Sequence, residues 1–199
     1  MLVQDEKIDP RVKRTKQLLQ HALMDLVQEK PVDSITVQDI AARAEVNRAT
    51  FYAHFEDKYA LLDYTGREMF QASLDKKLAG TPGLTRDSLR LLVLTTCEYL
   101  DNFMGHCAPV SQMNNQALMF LQIQGQIYDT LISWIKRAKP LDSHSEAVAV
   151  TISWAIWGTV FQWVRQSNGR KPSAEQLADH VLALLSDGIC ETLDKEAHT

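Results

Sequence analysis

Apolar residues recur at three- and four-residue intervals along most of the chain, which is the pattern of amphipathic α-helices. The first apolar stripe consists of Val12, Leu19, Ala22, Leu23, Leu26 and Val27. It follows Asp9 and Pro10, a capping residue and a proline suited to the first helical turn. Alternation of apolar and polar residues, which would indicate strands, is rare. We therefore predict an all-α fold of about nine helices, two of them very short.

Capping residues, prolines and glycines divide the rest of the chain. Two short helices are predicted before residue 56, the first capped by Thr36 and the second extending from about Asn47 to about Phe55. A longer helix capped by Asp57 extends to about Ala79. Two further helices are predicted over residues 86–104 and 111–138, and a third contains the uncharged residues 147–164 and ends at residues 167–169. Ser173 and Gln176 have the spacing of a capping box, which predicts the start of the last helix.

Residues 147–164 carry no charge and are long enough to be tested as a membrane span. Four polar side chains interrupt the segment, and Arg165 follows it directly. A helix that is apolar on every side is also typical of a buried core or a dimer interface. The three scattered cysteines and the absence of a signal peptide pattern favour a reducing compartment. We expect a cytoplasmic protein without a membrane segment.

The two short helices must cross steeply, because only a few residues join them. Ala41 and Ala44 allow the close approach. The bulky apolar residues beneath the crossing are Ile40, Val46, Phe51 and Phe55. Removing these core positions leaves a set of polar side chains on the outer faces of the second short helix.

Those outer side chains are of the kinds used in DNA recognition. Arg48 can hydrogen-bond in pairs to guanine, Asn47 can do so to adenine, and Thr50 can touch a thymine methyl group. Donors suited to phosphate oxygens follow at Tyr52, His54 and Lys58. A solvated polar helix face would have the same residue types, so composition alone leaves that alternative open.

The net charge of −4 argues against a general nucleic-acid coat protein but not against local DNA binding. Four cations lie close together near the N-terminus, at Arg11, Lys13, Arg14 and Lys16. Basic segments of this kind can reach the DNA backbone or the minor groove. An ordinary solubilising surface is the alternative.

Two motifs resemble the N-terminal motif of the TetR (tetracycline repressor-like) family. They are TVxxIAxxAxV over residues 36–46 and TFYxHFxxK over residues 50–58. The match covers the first third of the chain. It departs from the family at Glu45, where glycine is usual in the turn. If that position requires a positive φ, glutamate costs about 1 kcal/mol there.

The resemblance implies a helix-turn-helix DNA-binding domain over residues 1–56 and a ligand-binding and dimerisation domain over residues 57–199. It implies a homodimer held by the last two helices, a pseudo-palindromic double-stranded DNA operator, and a small-molecule effector that releases the DNA. The DNA contacts that it implies are Thr36, Asn47, Arg48, Thr50, Tyr52, His54 and Lys58. A repressor is the expected regulator, and an activator of the same fold is the alternative.

Aromatic and methionine side chains recur in the middle and C-terminal helices. Such residues are usually core, but some can line an apolar ligand pocket. The candidates are Phe103, Met104, Met119, Phe120, Trp154, Trp157 and Phe161. Gly158 lies among them and would permit the close helix approach of a dimer interface.

No nucleophile with a base, phosphate-binding glycine loop or metal-ligand spacing stands out in the sequence. We therefore expect neither an enzyme nor a protein that requires a metal or cofactor. The alternative of a different class is a helical small-molecule-binding protein, or an enzyme, without sequence-specific DNA binding.

Overall fold

The computed structural model describes residues 9–107, 113–166 and 171–196, with side chains for residues 9–103, 121–166 and 171–185. These described residues form eight α-helices, one short 3-10 helix and no strand. The helices are α1 (Pro10–Glu29), the 3-10 helix (Val32–Ser34), α2 (Val37–Arg43), α3 (Arg48–Tyr52), α4 (Lys58–Lys77), α5 (Arg86–Cys107), α6 (Met113–Ala138), α7 (Ser143–Val164) and α8 (Ala174–Glu196). The all-α prediction is confirmed, with eight rather than about nine α-helices.

Most helix starts follow from local capping. The Asp9 carboxylate accepts a hydrogen bond from the Arg11 amide at 2.9 Å, as expected for the cap of α1. The last helix begins with the predicted box, in which Ser173 and Gln176 bond reciprocally. The helix α7 begins at Ser143, where the Asp142 side chain accepts the Ser145 amide at 2.7 Å.

Two helix ends also differ from the prediction. The helix α5 continues past Gly105 to Cys107, since an interior glycine costs about 1 kcal/mol but does not by itself end a helix. The helix α3 ends at Tyr52 rather than near Phe55, because the next turn tightens and the His54 amide bonds to the Phe51 carbonyl at 2.9 Å.

The described chain divides into two compact units within α4, between Gly66 and Arg67. The boundary predicted at residue 56 lies earlier, next to the start of α4. The first unit contains α1, α2, α3 and the first half of α4. Its largest fully buried side chains include Leu19, Leu23, Ile35, Ile40, Phe51 and Leu61. They form one apolar core beneath the crossing of α2 and α3.

The turn between α2 and α3 is built around Glu45, whose φ is 55°. The Glu45 amide bonds to the Ala42 carbonyl at 3.2 Å, and the Val46 amide bonds to the Ala41 carbonyl at 2.9 Å. This pair of hydrogen bonds is typical of helix ends at which the chain adopts a left-handed conformation, and glycine is the usual residue there. Glu45 therefore carries backbone strain of about 1–2 kcal/mol.

The second unit contains the remaining half of α4, α5, α6, α7 and α8, except for the adjoining ends of α5 and α6. The helix α7 is long and apolar enough to cross a membrane by length and composition, with a mean hydropathy of 1.4 over its best window. Its buried side chains include Ile152, Ile156, Trp157 and Val160. A helix that packs in a protein core can have the same composition.

Asp63 provides a test of the packing around α4. Its half-buried position raises the pKa of the carboxyl to about 6, with a smaller contribution from the negative charge of Asp57. The folded-state pKa lies above the unfolded value of about 3.9, so the free energy of unfolding is at its full value below pH 4 as far as this group is concerned. It falls as the pH rises through 6, because the half-buried carboxyl must then carry a charge. We expect Asp63→Asn to raise the free energy of unfolding at pH 7 by about 1–2 kcal/mol, allowing for solvent screening.

The measurement is urea unfolding of both chains at pH 4 and pH 7. The stabilisation by Asp63→Asn should be absent at pH 4. An equal difference at the two pH values would contradict a role for the carboxylate charge.

Candidate nucleic-acid interface

The start of α3 is fixed by the side chain of Asn47. Its Oδ1 accepts the Thr50 amide at 2.7 Å and the Thr50 hydroxyl at 3.0 Å. Both lone pairs of that oxygen are thereby occupied, so Asn47 retains only its Nδ2 donors for another molecule. The predicted paired contact of Asn47 with adenine requires the oxygen as an acceptor. The geometry therefore favours Asn47 as a helix cap that can also donate.

Arg48 follows the cap in the first turn of α3, and its side chain is exposed. The guanidinium lies 6.0 Å from the centre of the Tyr52 ring, one helical turn further along. Within the described part of the chain, Arg48 has no side-chain hydrogen bond or ion pair, so its donors are available to a ligand. The Tyr52 ring restricts the orientation of the guanidinium without using these donors.

Three predicted phosphate donors differ in their surroundings. Tyr52 is 51% exposed, and its ring packs edge-on against the buried Phe51 ring at 5.5 Å. Thr36 is the exposed cap of α2, where its hydroxyl accepts the Asp39 amide at 3.1 Å and keeps its own proton. His54 is half-buried at the end of the α3 turn. Each of these positions leaves a side-chain donor available, as phosphate contact requires.

Lys58 has a different arrangement from the one its residue type suggests. Its ammonium donates to the carbonyls of Val32, Asp33 and Ile35 at 2.9, 2.8 and 2.7 Å. An ammonium has three protons, and these bonds occupy all of them. Two backbone amides at the start of α4, those of Tyr59 and Ala60, are also unavailable to a phosphate, because they donate to Asp57 Oδ1 at 2.8 Å. Lys58 therefore secures the chain leading into α2.

The four cations of α1 also differ in whether they contact other side chains of the first unit. The Lys16 ammonium lies 4.8 Å from the centre of the Tyr64 ring and 5.9 Å from that of Phe55. Lys16 thus makes cation–π contacts with aromatic side chains of the first unit. The side chains of Arg11, Lys13 and Arg14 are exposed on the first turns of α1.

Two ion pairs between α1, its following loop and α2 have no signal in the sequence. Arg43 donates to both carboxylate oxygens of Glu29 at 2.8 and 2.9 Å, and Lys30 lies 2.9 Å from Asp39. The Lys30 hydrogen bond, assisted by that of the Thr36 amide, lowers the pKa of Asp39 to about 2. The charge of Asp39 therefore persists to acidic pH and holds the start of α2.

The residues predicted to line an apolar pocket lie in different places in the second unit. Phe103 and Trp157 are buried, with Phe103 stacked on Tyr99 at 5.7 Å and Trp157 stacked on Phe161 at 5.5 Å. Trp154 is 48% exposed on α7. The side chains of Met104, Met119 and Phe120 lie outside the described residues. The pocket lining stays a prediction.

A polar cavity of about 440 Å³ lies instead between the second half of α4 and α6, and none of the predicted pocket residues lines it. Its lining includes Gln71, Asp75, Gln126, Asp129 and Arg137. The volume is within the range of about 300–1,000 Å³ that is typical of small-molecule sites.

Known proteins resemble the first unit in sequence. The family model described as "Bacterial regulatory proteins, tetR family" matches residues 19–65, which include α2, α3 and the Lys58 contacts. The uncharacterized HTH-type transcriptional regulator YxbF of Bacillus subtilis (strain 168) is 42% identical over 59 residues. That match covers 29% of this chain and 16% of the length of YxbF. Residues 19–65 of this chain are therefore similar to the tetR family of bacterial regulatory proteins.

Solved structures of transcriptional regulators resemble most of the chain in fold. A tetR-family transcriptional regulator from Streptomyces coelicolor has a TM-score of 0.62 and 15% identity, covering 91% of this chain and 86% of that chain. The transcriptional regulator FadR from Bacillus subtilis, solved in complex with stearoyl-CoA, has a TM-score of 0.51 and 18% identity, covering 85% and 96%. At these identities the likeness concerns the fold alone. The predicted TetR resemblance and helical architecture are confirmed.

Proposed function

We propose that this protein is a homodimeric transcriptional repressor that binds a pseudo-palindromic operator through its first unit and is released by a small molecule. The observation that carries the proposal is Arg48, an exposed guanidinium with available donors on a helix whose start is fixed by Asn47. In helix-turn-helix proteins the beginning of the second helix enters the major groove.

The side chains take separate roles in the proposed complex. Arg48 reads guanine, and the methyl group of Thr50 contacts thymine, since its hydroxyl proton is bound to Asn47. Phosphate oxygens accept hydrogen bonds from Thr36, Tyr52 and His54. Lys58 acts through the chain segment that it holds rather than through a phosphate.

A stripe on α7 supports the proposed homodimer. We define the α7 stripe as the exposed residues Ala147, Val150, Thr151, Trp154, Gly158 and Gln162. It carries no charge, and Val150 is 44% exposed and Trp154 48% exposed. A Cβ added at Gly158 would meet no atom within 4 Å, so packing within the described chain does not require glycine there. Glycine permits a second helix to approach closely.

Release of the operator requires an effector that binds the DNA-incompetent state more tightly than the competent one. A coupling free energy of about 1–3 kcal/mol is the usual magnitude. The complex of FadR with stearoyl-CoA is an example of a ligand bound to this fold. We place the protein in the cytoplasm, where it has access to operator DNA.

Selection from a random duplex library at two salt concentrations tests the proposal. We expect enrichment of an inverted repeat, and weaker binding at the higher salt because phosphate contacts release counterions. Intact dimeric protein that enriches no sequence would contradict operator binding and favour a ligand-binding protein of the same fold.

Arg48→Ala tests the reading residue. We expect it to weaken binding to the selected duplex by about 1–2 kcal/mol and to relax the preference at one base pair in each half-site. The matched control is Tyr52→Phe, which should weaken binding to all sequences alike because it removes a phosphate donor. Titrations of wild-type and single-base-changed duplexes measure both effects. An equal loss for Arg48→Ala on every duplex would reassign Arg48 to phosphate contact.

A further inference from the structure

The cavity between α4 and α6 contains a buried acceptor without a donor. Gln126 is only 7% exposed and lines the cavity, and its Oε1 has no hydrogen-bond partner within the part of the chain that the structure describes. Both amide protons of Gln126 point to α4, where Nε2 lies 3.1 Å from the Arg67 carbonyl and 3.1 Å from Gln71 Oε1. A buried acceptor of this kind destabilises the fold until a donor reaches it.

The hydroxyl groups of the lining have already used their protons. Thr130 donates to the Gln126 carbonyl at 2.8 Å, and Ser133 donates to the Thr130 carbonyl at 2.7 Å. Each hydroxyl therefore presents only lone pairs to the cavity. Together with Gln126 Oε1, they make this wall a hydrogen-bond acceptor.

The charges of the lining favour the same kind of ligand. Asp75 and Asp129 supply two carboxylates, whereas Arg137 supplies the one positive charge of the lining. Two of the guanidinium donors of Arg137 are engaged, with Nε 3.4 Å from the Ser133 carbonyl and Nη1 3.3 Å from the Thr81 carbonyl. Asp75 accepts a single side-chain bond, from Gln71 at 2.9 Å, which leaves further lone pairs available.

We propose that this cavity binds a small organic cation with several N–H donors, and that such a cation is the effector. The proposal that the cation is an effector rests on the proposed regulatory function, whereas cation binding itself does not. A linear amine or guanidine fits the chemistry, because its protons match the acceptors and its charge matches the carboxylates.

Calorimetric titration of the full chain without DNA tests the binding site. The probes are putrescine, agmatine and spermidine, with 1,4-butanediol as an uncharged comparison. We expect at least one of the three cations to saturate at one per chain and 1,4-butanediol to give no saturable heat. In the double variant Asp75→Asn and Asp129→Asn, the affinity for that cation should fall at least tenfold.

The matched control is the double variant Glu68→Gln and Glu146→Gln, which removes the same charge at exposed positions outside the cavity and should leave the affinity unchanged. Circular dichroism verifies that both double variants fold. Saturation by none of the cations, or equal affinity in the two double variants, would overturn the proposed site.

Operator release is measured separately on the selected duplex. Release by the bound cation in the wild type, and not in Asp75→Asn/Asp129→Asn, supports its role as effector. If a duplex is enriched but no cation binds, the proposed cation site is overturned, whereas the proposed regulatory function is supported. Cation binding without any enriched duplex supports the site and overturns the proposed regulatory function instead.

Discussion

Trp154→Glu is expected to raise the dimer dissociation constant at least 100-fold, equivalent to about 2.7 kcal/mol. The indole is 48% exposed at the centre of the uncharged α7 stripe. In the proposed dimer it becomes buried, so a carboxylate at this position would lie in an apolar contact without a partner. Sedimentation equilibrium over a range of protein concentrations measures the constant.

Met69→Glu is the matched control for this variant. Met69 is 40% exposed on α4, and its replacement introduces the same charge outside the α7 stripe. We expect no change in its dissociation constant. Trp154→Glu should also lose affinity for the full inverted repeat, while its affinity for a single half-site stays the same. A dimer that is unaffected by Trp154→Glu would place the subunit interface elsewhere.

Lys58→Met is expected to lower the free energy of unfolding by about 2 kcal/mol, because it leaves the carbonyls of Val32, Asp33 and Ile35 without their donor. Operator affinity should also fall, since the segment held by Lys58 leads into α2. The dependence of affinity on salt should stay the same, because no phosphate contact is removed. A lysine bound to phosphate would instead reduce that slope by about 1.

Urea unfolding and duplex titrations at several salt concentrations separate the two roles of Lys58. Lys13→Met is the control, because Lys13 is an exposed cation on α1 and its removal should leave stability unchanged. A stable Lys58→Met variant with a reduced salt slope would restore the original interpretation of Lys58 as a phosphate contact.

The fold was largely predictable because its helix boundaries depend on local chemistry. Asp9 begins α1, and Ser173 with Gln176 begins α8, through bonds that span two or three residues. Apolar spacing then decides which face of each helix is buried. The cap of α7 at Asp142 is an equally local signal but is not among the predicted helix starts.

The candidate site was predictable by residue type but not by hydrogen-bond partner. Arg48 and Tyr52 are exposed, as their position after the α2–α3 turn suggests. Lys58, however, bonds to carbonyls 23–26 residues earlier in the chain, and no sequence spacing indicates such contacts. The polar cavity was missed for the same reason, since only the packing of α4 against α6 brings Gln71 and Gln126 together.

The uncharged character of the α7 stripe has a consequence for the response of the proposed dimer to salt. An assembly held by apolar contact is not screened by ions, whereas the proposed contacts of Arg48 and Tyr52 with DNA would weaken as the salt concentration rises. A rise in salt would therefore leave the proposed dimer intact while releasing it from its operator. The protein would return to its operator as a preformed pair once the salt concentration falls, without a concentration-dependent reassembly step.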